Sequence, residues 1–240
     1  MKHVLLAALA AMPLAGAALA QNTEVSGPLT LYTSQPNEDA QRTVDAFTAA
    51  YPNVEVTWIR DGTTQVMARL EAEFAAGAPQ ADVLLIADTV TMEGLEAQGR
   101  LLAYPEADVS AYDPALMDPE HHYFSTKLIT TGIIYNTNAP MKPTSWKDLL
   151  KDEAKGQIAM PSPLTSGAAL IHTNTMVSNM DEGWGYYETL AANGAQASGG
   201  NGGVLKAVAG GEKLYGMVVE FLPIREKAKG APVDFVFPEE

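Results

Sequence analysis

Leu29-Thr30-Leu31-Tyr32-Thr33-Ser34-Gln35-Pro36-Asn37-Glu38-Asp39 changes character between Tyr32 and Gln35. Leu29 to Tyr32 is apolar and aromatic enough for a buried strand. Asn37, Glu38 and Asp39 offer caps and first-turn acids to an amphipathic run through Val44 and Phe47. Thr33-Ser34-Gln35 therefore falls at the carboxyl end of a first strand, close to a helix N-terminus. In open α/β sheets ligands bind at that edge, where unpaired helix-start N–H groups can meet an anion. On this stretch alone the alternative, that Thr33 and Ser34 are ordinary turn formers, stays open.

Outward from this junction the chain alternates strand and helix. A helix from about residue 38 to 50 precedes the strand Val54–Ile59, with Tyr51-Pro52-Asn53 as the turn between them. A second helix over 63–76 carries Val66, Leu70 and Phe74 at a spacing of four, on one face. Ala81-Asp82-Val83-Leu84-Leu85-Ile86-Ala87 is apolar on both faces, as a central parallel strand needs to be. It ends in Asp88-Thr89 before a helix over 90–98. Strand, helix, strand, helix, strand is the pattern of a doubly wound sheet, so Thr33–Gln35 and Asp88-Thr89 open on the same sheet edge.

The second half repeats the scheme. Residues 101–124 are rich in turns, then Thr130–Asn136 reads as a β-branched strand. Gln157–Met160 is another strand, and Thr165-Ser166-Gly167 leads into a helix over 168–179, with N-capping hydroxyls and a glycine that admits close approach. Residues 184–192 form a helix, 198–203 a glycine-rich loop, 204–209 a short helix and Leu214–Val219 a strand with Glu220 at its end. Val233–Phe237 alternates as a last strand. An acid at a buried strand end is either a ligand contact or a paired structural carboxylate.

Composition narrows the function. The 240 residues are 47% hydrophobic and 18% charged, enough to bury real cores. Lys2 and His3, an apolar run from Val4 to Leu19 and Ala18-Leu19-Ala20 before Gln21 read as a signal peptide over residues 1–20. With no Cys there is no disulfide framework, thiol nucleophile or lipobox. A soluble exported protein is expected, periplasmic in a two-membrane host. The formal net charge of −14 repels phosphate backbones, which argues against nucleic acid as a partner. No G-x-S-x-G, H-E-x-x-H or P-loop occurs, so the expectation is a non-enzyme. Adjacent His121-His122 diverge on a strand or a helix and rarely share one ion, so no metal or cofactor is expected.

Several motifs together resemble the extracellular solute-binding proteins of ATP-driven importers, in the branch that includes ferric-iron binders. They are Leu31-Tyr32-Thr33-Ser34, Ala81-Asp82-Val83 with Ile86-Ala87-Asp88, Gly132-Ile133-Ile134-Tyr135-Asn136, Lys142 to Leu149, and Pro161-Ser162-Pro163 before Thr165-Ser166-Gly167. The resemblance implies a two-lobed α/β fold, type II-like, each lobe a mostly parallel sheet flanked by helices, closing on ligand by a hinge. It places the first part of lobe 1 at 21–130, lobe 2 at 131–232 and a return crossover at 233–240, with the remainder of lobe 1 expected beyond. It also implies an inner-membrane ABC permease as partner, with the binding protein a monomer.

Ferric binders of this branch carry two adjacent tyrosines after the strand equivalent to Leu214–Val219, where this chain has Glu220-Phe221-Leu222. Tyr186-Tyr187 lies within a helix and reads as packing. Gly216 to Glu220 and Arg225 to Pro232 look more like the binders of 2-aminoethylphosphonate. In that resemblance Ser34, Thr165, Ser166 and Gly167 donate to the phosphonate, and Gln35 and Thr89 belong to the same ligand-binding set. Asp88 and Glu220 receive the ammonium, and Tyr32 walls the carbon chain. Ferric ion, a polyamine, thiamine and a sugar phosphate are the alternative ligands on the same fold.

Overall fold

A computed structural model describes residues 21–239; the expected signal peptide lies outside the described residues. The first sheet is wholly parallel, in the order β2 (Asn53–Arg60), β1 (Ser26–Thr33), β3 (Val83–Leu85). Helices α1 (Asn37–Ala50) and α2 (Thr63–Ala75) connect the strands, and α3 (Thr89–Ala97) follows them. Ala40 and Val44 of α1, and Val66 and Leu70 of α2, are the buried apolar positions of those helices, as their spacing requires. The central strand is β1. The stretch expected to be central, β3, is an edge of this sheet among the described residues, and its Val83 is exposed.

The second sheet runs β6 (Gln196–Ala197), β5 (Ile158–Met160), β7 (Tyr215–Val219), β4 (Thr131–Asn136), β8 (Val233–Val236). It is parallel from β6 to β7 and antiparallel where β4 meets β7 and β8. The reversal follows from direction of travel: β4 enters this lobe from the cleft, whereas β5 and β7 end there. Helices α4 (Gly167–Asn179), α5 (Trp184–Ala192), α6 (Asn201–Ala209) and α7 (Phe221–Ala228) complete the lobe. Helix α7 was not legible in the sequence, because its first turn, Phe221-Leu222-Pro223, carries no capping residue and Arg225 to Lys229 has no apolar period.

Side chains alternate along β4 into two cores. Ile133 and Tyr135 pack with Leu149, Ile158, Tyr186 and Met217 on one face, and Ile134 packs with Val204, Val208 and Val218 on the other. Tyr186 donates to the Trp146 carbonyl at 3.0 Å, consistent with the packing role read for it. Gly132 lets β8 approach: a β-carbon there would lie 2.4 Å from both the Val236 carbonyl oxygen and Phe235 Cζ. His172 of α4 is half-buried, its ring packed against Trp146 at 4.7 Å between centroids, and its Nδ1 shares a 2.8 Å hydrogen bond with Thr131 Oγ1. Burial holds its imidazole down at about 4.

Two outcomes are expected. Gly132→Ala loses about 1–3 kcal/mol of stability in denaturant titration, because backbone cannot yield as a side chain does. His172 is neutral in the folded chain while the unfolded chain binds a proton below its ordinary value of 6.5, so stability falls as pH drops from 6.5 to about 4. About 3 kcal/mol goes over that window, and His172→Gln removes this component of the acid dependence.

Candidate functional site

Between the sheets lies a cavity of about 510 Å³. Its walls are the carboxyl ends of strands and the helix starts that follow: Ser34-Gln35-Pro36 before α1, Arg60 to Thr63 into α2, and Asp88-Thr89 into α3 from one lobe. The other lobe supplies Thr165 to Ala168 into α4, Gly199 to Gly202 into α6, and Phe221-Leu222 of α7. The connecting segment Tyr123 to Ile129 closes one side. Helices α1, α2 and α6 start without a side-chain cap, so their first N–H groups are left for a ligand or solvent. Convergent helix starts of this kind favour an anion.

The lobes meet at backbone distance beside this cavity. A β-carbon on Gly62 would lie 2.1 Å from the Thr165 carbonyl oxygen. One on Gly167 would lie 2.8 Å from Asp88 Oδ2 and 2.9 Å from Thr63 Oγ1. Both positions have negative φ, so the requirement for glycine comes from the opposite lobe and not from the local backbone.

The residues expected from the sequence separate clearly. Ser34, Gln35, Asp88, Thr89, Thr165, Ser166 and Gly167 line the cavity. Ser34 Oγ is buried and without a hydrogen-bond partner, in a residue of the cavity wall. Ser166 Oγ accepts from the Ala169 N–H at 3.3 Å and from Asn201 Nδ2 at 3.4 Å, which leaves its own proton available. Thr165 is less free, since its hydroxyl donates to the Gly199 carbonyl at 2.9 Å. Asp88 caps α3, with Oδ1 accepting from the Thr91 N–H at 2.6 Å, and only Oδ2 faces the other lobe.

Tyr32 and Glu220 are corrections. Tyr32 lies within the first lobe, 1% exposed, and donates from its hydroxyl to Glu73 at 2.6 Å; it does not line the cavity. Burial, reinforced by Glu73, raises its pKa, so it remains a donor. Along β1 Tyr32 points to the α2 side of the sheet, a direction that the strand alternation alone did not assign. Glu220 turns back onto the chain: Oε2 accepts from the Thr130 N–H at 2.9 Å and braces the entry to β4, the paired structural reading of that carboxylate.

Other lining residues went unread. Arg60, at the end of β2, donates from Nε to the Gln35 carbonyl at 2.9 Å, and Lys127 sits over the Phe221 ring at 5.5 Å; both bring positive charge to the wall. Gln65 Oε1 is buried without a partner, and Asp61 adds a second carboxylate. Tyr123 donates to Glu93, which pushes its pKa up to about 12 ahead of the effect of burial. Arg60 and Asp61 follow a strand, the same positional signal that singled out Ser34 and Asp88. Away from the cavity His122 Nδ1 lies 3.1 Å from Asp118 Oδ2 and 3.3 Å from Glu96 Oε1. Glu96, Glu120 and His122 bring ligand-type atoms within 4.8 Å of one another, a group to which the adjacent His121 does not contribute and for which Glu96 comes from a distant part of the chain.

A sequence profile described as bacterial extracellular solute-binding protein matches residues 33–235. An uncharacterized protein of Haemophilus influenzae is 28% identical over 241 residues, an alignment covering 94% of this chain and 68% of that protein. The periplasmic binding protein P5PA superposes with a TM-score of 0.77 at 26% identity, covering 90% of this chain and 71% of the other. The periplasmic binding protein AfuA from Actinobacillus pleuropneumoniae, with exogenous fructose-6-phosphate bound, gives 0.75 at 25% identity, covering 89% and 70%. Both share the two-lobed arrangement with this chain.

Gly62→Ala and Gly167→Ala are expected to leave the melting temperature within a few degrees of the parent, since alanine is the better helix former at Gly167, the first residue of α4, and costs about 1 kcal/mol at Gly62, the N-cap of α2. Each holds the lobes apart, which small-angle scattering reads as a larger radius of gyration.

Proposed function

Because the chain belongs to the bacterial extracellular solute-binding protein family, and so is the capturing component of an ABC importer and not an enzyme, we propose that its cargo is a small organic phosphonate or phosphate ester. The carrying observation is the buried, unpartnered Ser34 Oγ at a point where uncapped helix starts from both lobes converge. A tetrahedral oxyanion needs several donors from different directions, and Ser34, Ser166, the amides of Gly167 and Ala168, and Arg60 supply them. The protein works outside the cytoplasmic membrane, after removal of residues 1–20, as a monomer that delivers to an inner-membrane permease.

Within this class 2-aminoethylphosphonate is the first candidate. Its ammonium would face Asp88 Oδ2 and Asp61, both on the cavity wall, with Asp61 taking the place first read for Glu220. A sugar phosphate is the second reading, favoured by one observation: a cavity of about 510 Å³ is far larger than an aminoethyl group requires. AfuA holding fructose-6-phosphate is consistent with that reading. Ferric ion is less well suited, since Tyr123 is the one tyrosine of the described wall and its hydroxyl is engaged by Glu93.

Calorimetric titration with 2-aminoethylphosphonate, its N-acetylated form, fructose-6-phosphate, inorganic phosphate and ferric citrate separates these. Binding of either phosphorus compound, weakened roughly tenfold or more by Ser34→Ala, is the expected result, the loss of one hydrogen bond to a charged group. Equal affinity for the acetylated form removes the carboxylates from ligand selection. Tight, coloured binding of iron with none of the phosphorus compounds overturns the class.

A further inference from the structure

Helix α1 of the first lobe and helix α7 of the second face each other with opposite charge. Asp39, 8% exposed in the first turn of α1, receives Arg225 Nη1 of α7 at 2.7 Å to Oδ1 and 3.0 Å to Oδ2. Beside them, Glu38 next to Asp39 and Lys229 one turn beyond Arg225 add charges of the same signs, each bonded within its own lobe, Glu38 to Arg42 and Lys229 to Glu226. The Lys229 ammonium is held above its ordinary pKa by Glu226, its partner at 2.8 Å, and in smaller part by Glu38 across the lobes. Arg225 also lies over the Phe221 ring, 4.9 Å from its centroid, and Phe221 is part of the cavity wall. Ligand chamber, aromatic ring, guanidinium and opposite lobe thus form one continuous line of contact.

Neither charge depends on the other to be tolerated. A carboxylate in the first turn of a helix is stabilised by the free amides there. A guanidinium on an aromatic face keeps much of its hydration and a favourable quadrupole. Parting the pair therefore costs little enough for the lobes to open, and forming it adds an attraction that exists only when they are together.

We propose that Asp39 and Arg225 form an interlobe latch that sets how much of the ligand-free protein is closed, with Phe221 positioning the guanidinium from the cavity side. Both are positioning residues: they touch no ligand and act on the distance between lobes. The inference rests on the two-lobed architecture and holds whichever solute fills the cavity.

The chain contains no cysteine, so cysteines placed at Glu71 and Glu188, exposed and one in each lobe, give a unique spin-label pair. Pulsed electron–electron distance measurement on the full chain without any ligand reads the closed and open populations. Asp39→Asn and Arg225→Gln are each expected to lower the closed-to-open ratio about fivefold, the scale of a partly exposed ion pair. The double variant falls no further, Arg225→Lys retains most of the ratio, and high salt lowers the parent toward the single variants. A label pair within the second lobe keeps its distance throughout, which separates opening from misfolding. An unchanged ratio in either single variant overturns the latch. So do additive losses in the double variant, or a ligand-free parent with no closed fraction.

Discussion

The structure depends on one geometric constraint: strands of both lobes must end at the same place, so that the unpaired amides of the helices that follow point into a shared space. Strands β1, β2 and β3 do this from the first lobe, and β5, β6 and β7 from the second. Inside a parallel sheet the amides of the central strand are paired, so the backbone donors it turns toward a cleft are those of the helix starts. The antiparallel reversal at β4 is the consequence, because the chain has to cross the cleft to enter the second lobe.

Bringing helix starts together raises a steric problem before an electrostatic one. Gly62 faces Thr165 and Gly167 faces Asp88 and Thr63 at distances that no β-carbon tolerates. These two glycines let the lobes approach closely beside the chamber, so that donors from opposite sides can face the same space. The acidity of the chain as a whole does not oppose this. Arg60, Lys127 and helix-start amides line the chamber beside Asp61 and Asp88, whereas exposed carboxylates elsewhere on the chain are screened by salt.

Charged residues near the cleft divide by what already engages them. Glu220 is committed to the Thr130 amide, Asp39 to Arg225 and one oxygen of Asp88 to the Thr91 amide. Ser34 and Gln65 have buried polar atoms with no such commitment. Buried polar groups in folded chains are nearly always satisfied, and both residues line the cavity, which is why the proposed reading gives Ser34 a donor's part.

The sequence by itself determined the class of fold and the sheet edge at which the cavity opens. Strand and helix periodicities differ, and the carboxyl end of a parallel strand is a defined position in the chain, so Ser34, Asp88 and Ser166 could be placed before any coordinates. The resemblance to solute-binding proteins added the two-lobed arrangement. Only the tertiary structure decided which side chains turn into the cleft. Tyr32 pairs with Glu73, 41 residues away, and Glu220 with Thr130, 90 residues away. It also decided that Asp39 of one lobe meets Arg225 of the other, 186 residues apart. Local patterns carry backbone conformation because they act over one or two turns. The partner of a polar side chain is set by whichever distant segment the packed core brings within 3 Å, and that is a property of the assembled lobes.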